Sequence, residues 1–306
     1  MDRDLEAVLA AHGGVVASVR LQHLGIGPRE IDRLVRRRDL VRPLKGVVAH
    51  GGNWQAAKPW ELHRLRALAA CCAEPPATIA LSHQSGLAMS SLPIFGADER
   101  IHLMRLPAPR KHSTSKVAFH APVSPEWLVP CGQQFRVRDS LAALQVADAF
   151  GVEAGLVSAD AVARAGAQQS EFTQALSAGR FARGLARPRQ VIKMLNPELE
   201  SPGESRCRWL FHILDIPVAE PQVEFTLPSG RIARVDFYFR ERRTVVEFDG
   251  QIKHARAGDL FAEKKREDGL RSLGLEVVRL VWSDLSEPQR VRSLLETAFS
   301  RARRMR

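Results

Sequence analysis

Apolar and polar positions follow two rhythms along this chain, and the changes from one to the other mark its elements. Near the N-terminus the period is helical. Leu5, Val8 and Leu9 share a face, "VASVRLQHLG" runs on to Gly25 as a second helix, and "GPREIDRLVRRRD" opens a third with Pro28 where a missing N–H is tolerated. "LVRPLKGVVAHGG" then alternates with period two, as a strand turned back at Lys45 and Gly46. From about Trp54 to Pro197 the rhythms interleave. "WELHRLRALAACCA" predicts an amphipathic helix, "TIALSHQSGLAMSSLP" a strand and a helix, and "RIHLMRL" and "SKVAFHA" two strands. "SLAALQVADAFGVEAGLVSADAVARAG" predicts a helical pair, and "GRFARGLARPRQVIK" a basic linker. In the last third, "SPGESRCRWLFHIL" predicts a helix starting near Ser201 to Gly203, and "RVDFYFRERRTVVEFDG" two strands folded back on each other. "GDLFAEKKREDGLRSLG" predicts a helix ended by Gly274, and "LEVVRLVWSDL" a final buried strand.

This order predicts a multidomain α/β protein in three parts: a helical and hairpin domain over residues 1–53, an α/β domain over 54–197, and a sheet flanked by helices over 198–306. A length of 306 residues is ample for two or three separate cores.

Charge adds a partner to this picture. A formal net charge of +11 favours a polyanion, nucleic acid first, with membrane phosphate as the rival. No stretch reaches the ~18 apolar residues a spanning helix needs, and the opening "MDRDLEAVLAAHGG" is acidic where a signal peptide would be basic. A cytoplasmic, nucleoid-associated protein without a membrane partner is the expectation. Cys71, Cys72, Cys131 and Cys207 show no C-x-x-C spacing, which argues against structural zinc or a disulfide framework and for reduced, buried thiols. His83, Gln84 and Ser85 lack a third group at recognisable spacing, so His83 is read as capping or packing a helix start. "RLPAPRKHSTSK" is a basic loop that could follow a phosphate backbone.

The basic residues of the first domain are concentrated. Arg29, Arg33, Arg36, Arg37 and Arg38 belong to the third helix and its end, with Arg42 and Lys45 in the hairpin. Helix, helix, basic helix and basic hairpin is the layout of a winged helix-turn-helix, whose third helix and wing meet base edges and phosphates. "GGVVASVRLQHLGIGPREIDRLVRRRDLVRPLKGVVAH" resembles the N-terminal domain of AbiEi-type antitoxins. That resemblance implies double-stranded DNA as a partner, contacted above all by Arg36, Arg37, Arg38 and Lys45, and a possible toxin as a protein partner.

The hairpin from Arg234 to Gly250 poses the chemical question, because three carboxylates lie on apolar strands. With a two-residue turn at Glu241 and Arg242, Asp236 opposes Glu247 and Arg234 opposes Asp249. Opposed Cβ atoms are about 4.5–5.5 Å apart, so Asp236 and Glu247 repel unless a cation lies between them. On a helical wheel Lys264 falls with Leu260 and Phe261, toward the sheet.

Residues 200–290 resemble the Vsr-like branch of PD-(D/E)XK endonucleases through "SPGES", "RVDFYF", "VVEFDG" and "FAEKKREDGLRSLGLEVVRLVWSDL". The resemblance implies Mg²⁺ or Mn²⁺ held by Asp236, Glu247 and the Phe248 carbonyl, with Glu204 close by. It also marks a departure: Asp249 stands where the family's usual lysine follows the second acid, leaving Lys264 and His254 as candidates for that lysine's part. A DNA-binding, metal-dependent endonuclease is therefore expected, with a regulator or antitoxin carrying an inactive nuclease fold as the alternative.

Overall fold

The computed structural model describes residues 3–96, 98–106, 112–250 and 257–304. The chain is α/β, with three sheets among the described residues, and divides into two compact units: one of residues 1–162 and 166–194, the other of 163–165 and 195–306.

The first unit begins with α1 (Arg3–Ala11), β1 (Val15–Ala17), α2 (Ser18–His23), α3 (Pro28–Arg36), β2 (Leu40–Val41) and β3 (Val47–His50). The segment expected as one second helix thus splits. Val15 to Ala17 pair antiparallel with Val47 to Ala49, because the β-branched run has a strand partner that local periodicity does not reveal. The sheet order is β1-β3-β2. Val16 and Val48 face a core with Leu5, Leu9, Leu21, Ile31, Leu34 and Leu40, while Val15, Val47 and Ala49 face the other side with Ala69. Both faces are buried, so the small sheet is fixed in register.

It continues through α4 (Gly51–Ala56), α5 (Pro59–Ala73), β4 (Ile79–Leu81), α6 (His83–Met89), β5 (Ile101–Arg105), β6 (Val117–His120), β7 (Leu128–Cys131) and β8 (Gln134–Val137). Then come α7 (Asp139–Phe150), α8 (Val152–Arg164), α9 (Gln169–Ala178) and α10 (Ala186–Lys193). The five strands are ordered β6-β5-β4-β8-β7. The expected linker "GRFARGLARPRQVIK" is corrected in part: α10 is an ordered helix, with Val191 buried and Arg187 Nη1 donating to the Asp148 carbonyl at the end of α7 at 3.0 Å. Residues 107–111 of the basic loop lie outside the described residues.

The second unit comprises α11 (Pro202–Ile213), β9 (Glu220–Thr226), β10 (Ile232–Phe239), β11 (Thr244–Asp249), α12 (Ala257–Ser272), β12 (Glu276–Val281) and α13 (Pro288–Arg304). Its sheet runs β12-β11-β10-β9, with β11 and β12 parallel and the other pairs antiparallel. Phe237, Phe239, Val246 and Leu280 pack on one face with Phe211 of α11 and Val291, Leu295 and Phe299 of α13. Each fully buried phenylalanine is worth about 1.5–3 kcal/mol. The other face holds Tyr238, Val245, Ala233 and Val235 with Leu270 of α12. In α13, Val291, Leu295, Ala298, Phe299 and Ala302 recur at helical spacing and carry the helix onto the sheet.

One irregularity positions the carboxylates. Along β10, Val235 and Tyr238 face α12 whereas Phe237 and Phe239 face α11 and α13, so the alternation slips by one residue at Asp236. Opposite it on β9, Gln222 has φ +53° and leaves its own alternation, which keeps the pairing of Val235 with Val223 and Phe237 with Pro221 in step.

Candidate functional site

Asp236 stands at this slip, near enough to Glu247 of β11 and to Glu204 of α11 for their charges to act on one another in turn. The hairpin register is the expected one over its ladder, with Phe239 opposite Thr244 and Phe237 opposite Val246. The reversal itself is a 3₁₀ turn over Arg240–Arg242 with Arg243 left-handed, φ +46°, broader than the two-residue turn expected. The ladder stops just before Asp236, whose Oδ2 accepts the Phe248 N–H at 2.7 Å. A carboxylate has thus taken the place of a ladder carbonyl, and this is what brings Asp236 beside β11.

Glu204 enters from the first turn of α11. Ser201 caps the helix by accepting the Glu204 N–H at 3.2 Å, and Glu204 Oε2 accepts from the Glu200 N–H at 2.9 Å and from Gln222 Nε2 at 2.8 Å. Gly203 is required beside it, because a Cβ there would lie 1.9 Å from Phe248 Cε1. Burial pushes the Glu204 carboxyl above the usual range, and the Asp236 charge adds to this. Burial likewise raises Asp236, against the Phe248 N–H bond that lowers it, and Glu247 raises it further.

The cation beside Glu247 is Arg266, which sequence reasoning missed. Its Nη1 lies 2.5 Å from Glu247 Oε1 and its Nη2 donates to the Arg234 carbonyl at 2.5 Å. Lys264, expected toward the sheet, is exposed. Leu270 is fully buried, and Glu263, Arg266 and Glu267 lie with it at helical spacing, while the side chains of Leu260 and Phe261 lie outside the described residues. Glu263 and Glu267 pair with Arg279 of β12 at 2.7 and 3.2 Å, which fastens that face to the sheet. Arg234, placed opposite Asp249 by the hairpin arithmetic, forms an ion pair with Glu200 at 2.8 Å. Asp249 ends β11 half-buried, and His254 lies outside the described residues.

The donor set suits a hard divalent cation. Asp236 and Glu247 offer carboxylate oxygens, and Glu247 Oε1 is buried without a hydrogen bond, its Arg266 contact being one of charge but not of hydrogen-bond geometry.

In the first unit the predicted basic residues are all exposed: Arg29, Arg33, Arg36, Arg37, Arg38, Arg42 and Lys45. Arg29, Arg33 and Arg36 form a stripe along α3 opposite buried Ile31 and Leu34. Arg33 pairs with Glu30, Arg42 with Asp32 at 2.6 Å and Arg37 with Asp39 at 3.2 Å. Arg29, Arg36, Arg38 and Lys45 carry no ion pair among the described residues.

No family model matches the chain. It is similar to two uncharacterized proteins of Mycobacterium tuberculosis, from strains CDC 1551 and H37Rv, at 28% identity over 136 residues in each case. The match covers 44% of this chain and 50% of theirs, so the chain spans about half the length of the curated relatives it matches.

Sequence reasoning also missed two clusters of the first unit. His83 does pack at the start of α6, but on His102 and His120, with ring centroids 4.9 and 4.0 Å away. Ser85 is fully buried, contacting His63 Nε2 at 2.9 Å and accepting the His102 N–H at 2.9 Å, which removes it as a nucleophile. Of the four cysteines expected to be buried, only Cys207 is; Cys71, Cys72 and Cys131 are partly exposed. Cys71 and Cys131 remain free thiols, and a hydrogen bond donated by the Cys71 thiol lowers the Cys131 thiol to about 7, with Arg136 and Arg64 adding to the effect and burial opposing it. No spacing rule links residues so far apart in sequence.

Proposed function

We propose that the chain is a DNA-binding protein whose second unit is a PD-(D/E)XK-type, metal-dependent endonuclease, and whose first fifty residues are a winged helix-turn-helix that holds the DNA. The observation that carries this reading is the slip at Asp236, which brings that carboxylate beside Glu247 of β11, with Glu204 of α11 on its other side, in a unit whose element order is helix, three strands, helix, strand. An ordinary sheet would not gather three carboxylates whose burial raises two of them.

Asp236 and Glu247 would hold Mg²⁺ or Mn²⁺ through their oxygens, with the Phe248 carbonyl as a third donor. The bound ion supplies charge for the phosphate and lowers the pKa of a coordinated water. Glu204 positions Gln222, which in turn braces Asp236. Arg266, beside Glu247, offsets that charge before DNA arrives and would meet a phosphate oxygen afterwards, the part expected of Lys264. In the first unit the exposed stripe of Arg29, Arg33 and Arg36, with Arg38 and Lys45 beyond it, supplies phosphate and base-edge donors.

A second reading draws on Arg266 and Asp249. An arginine already compensating Glu247, and an acid where the family has lysine, suit a regulator or type IV antitoxin-like protein whose nuclease fold binds without cutting. Incubation of supercoiled DNA with the protein, in Mg²⁺ or Mn²⁺ against EDTA, separates the two. Metal-dependent nicking that disappears in Asp236→Asn and Glu247→Gln supports the nuclease. Intact plasmid in every lane, with a gel shift retained, supports the regulator.

A further inference from the structure

The middle sheet of the first unit brings three imidazoles to one point. β5 and β6 run parallel with His102 opposite Ala118 and Met104 opposite His120, so the two histidines lie two positions apart on one face of adjacent strands. β4 pairs with β5 on its other side, and the chain leaves β4 through Ser82 directly into His83. His83 adopts φ +49°, a left-handed conformation uncommon outside glycine, so its ring is held over the sheet at a cost in backbone strain.

We propose that His83, His102 and His120 form a binding site for one divalent transition-metal ion, Zn²⁺ by preference, with a fourth position open to solvent. One nitrogen from each ring lies within 4.8 Å of the others. His120 Nε2 and His102 Nδ1 are 2.9 Å apart, close to the ~3.3 Å that two nitrogens span when each is 2.0–2.1 Å from a tetrahedral zinc. The outward nitrogens are already taken. His102 Nε2 meets Asp98 Oδ1 at 3.0 Å, and His83 Nδ1 meets the Ser82 hydroxyl at 3.0 Å. Asp98 is in turn held by Arg100 Nε at 2.6 Å and Gln84 Nε2 at 3.2 Å. A carboxylate on the far nitrogen fixes the tautomer and orientation of a ligating histidine, and raises its basicity.

That network makes His102 a proton donor to Asp98 through Nε2, leaving Nδ1 with its lone pair. His120 then donates Nε2–H to it in the metal-free protein. Metal binding needs only that His120 move its proton to Nδ1, and His120 is the partly exposed member of the three. Three neutral nitrogen donors suit zinc, copper or nickel and not Mg²⁺, which distinguishes this site from the carboxylates of the second unit. Three protein ligands with one side open is the pattern of an exchangeable, not a closed structural, zinc position.

The test uses the full-length protein, stripped with chelator and titrated with Zn²⁺, metal content being read by elemental analysis, and with Co²⁺, read by its visible d–d absorption. The expected result is one ion per chain with the intense bands of four-coordinate cobalt. These are lost in His102→Gln and His120→Gln, weakened about 10–100-fold in affinity in Asp98→Asn, and unchanged in Asp236→Asn. His120→Gln serves if His102→Gln fails to fold, since His120 is not fully buried. A folded, stripped protein that shows no cobalt bands at several-fold excess overturns the site. So do bands that survive His120→Gln undiminished.

Discussion

Gly203→Ala tests whether α11 and the acidic strand are locked together. The glycine is the second residue of α11, where alanine would ordinarily gain up to about 1 kcal/mol from helix propensity. Here the added carbon would lie 1.9 Å from Phe248 Cε1 and 2.2 Å from Cδ1, against the ~3.5–4.0 Å of a normal carbon contact. The ring must retreat by roughly 1.5–2 Å to restore that distance. It is held from behind by Trp282, edge to face at 4.9 Å, and its own amide is bonded to Asp236. Overpacking of this kind costs about 1–3 kcal/mol, and in a unit of this size that lowers the melting temperature by roughly 5–15 °C. Calorimetry on Gly203→Ala, Phe248→Ala and the double variant measures it. With the ring removed, the clash disappears, so Gly203→Ala should be neutral or stabilising in the Phe248→Ala background. An unchanged melting temperature in the single variant, or equal losses in both backgrounds, refutes the packing argument.

Three further outcomes are expected. Arg29→Ala with Arg36→Ala should weaken DNA binding and flatten its salt dependence by about 0.9 in logarithmic slope per lost phosphate contact, read by fluorescence anisotropy across salt concentrations; an unchanged slope removes α3 from the interface. Arg266→Met leaves Glu247 facing Asp236 uncompensated, so the metal-free protein should lose about 1–3 kcal/mol and regain more on adding Mg²⁺ than the parent does, read by chemical denaturation; equal Mg²⁺ responses would show that no ion competes for Arg266's place. Alkylation mapped by mass spectrometry should reach half its maximal rate at Cys131 near pH 7, while Cys71, whose thiol is raised by the same bond, stays unmodified. Because the Cys131 thiol is lowered on folding, its contribution to stability is present above the unfolded thiol range and is lost as pH falls through about 7.

What the sequence by itself determined is what lies close along the chain. Apolar period and turn chemistry identified α3, α5, α11 and the β10–β11 hairpin, because helices and hairpins join residues a few positions apart, and the alternation of β10 and β11 carried their register correctly from Phe239 to Phe237. The same alternation failed at Asp236, where a slip matched by Gln222 on another strand breaks it, and nothing in "VDFYF" announces that. The face of α12 that meets the sheet carries Leu270, buried against strands distant in sequence, and so Arg266 and not the exposed Lys264 came to Glu247. β1 likewise became a strand only because β3, about thirty residues on, was there to pair with it. Tertiary structure alone gathered His83, His102 and His120, and Cys71 of α5 with Cys131 of β7, since pairing of distant strands and packing of a helix on the sheet join residues whose separation in sequence carries no period to read.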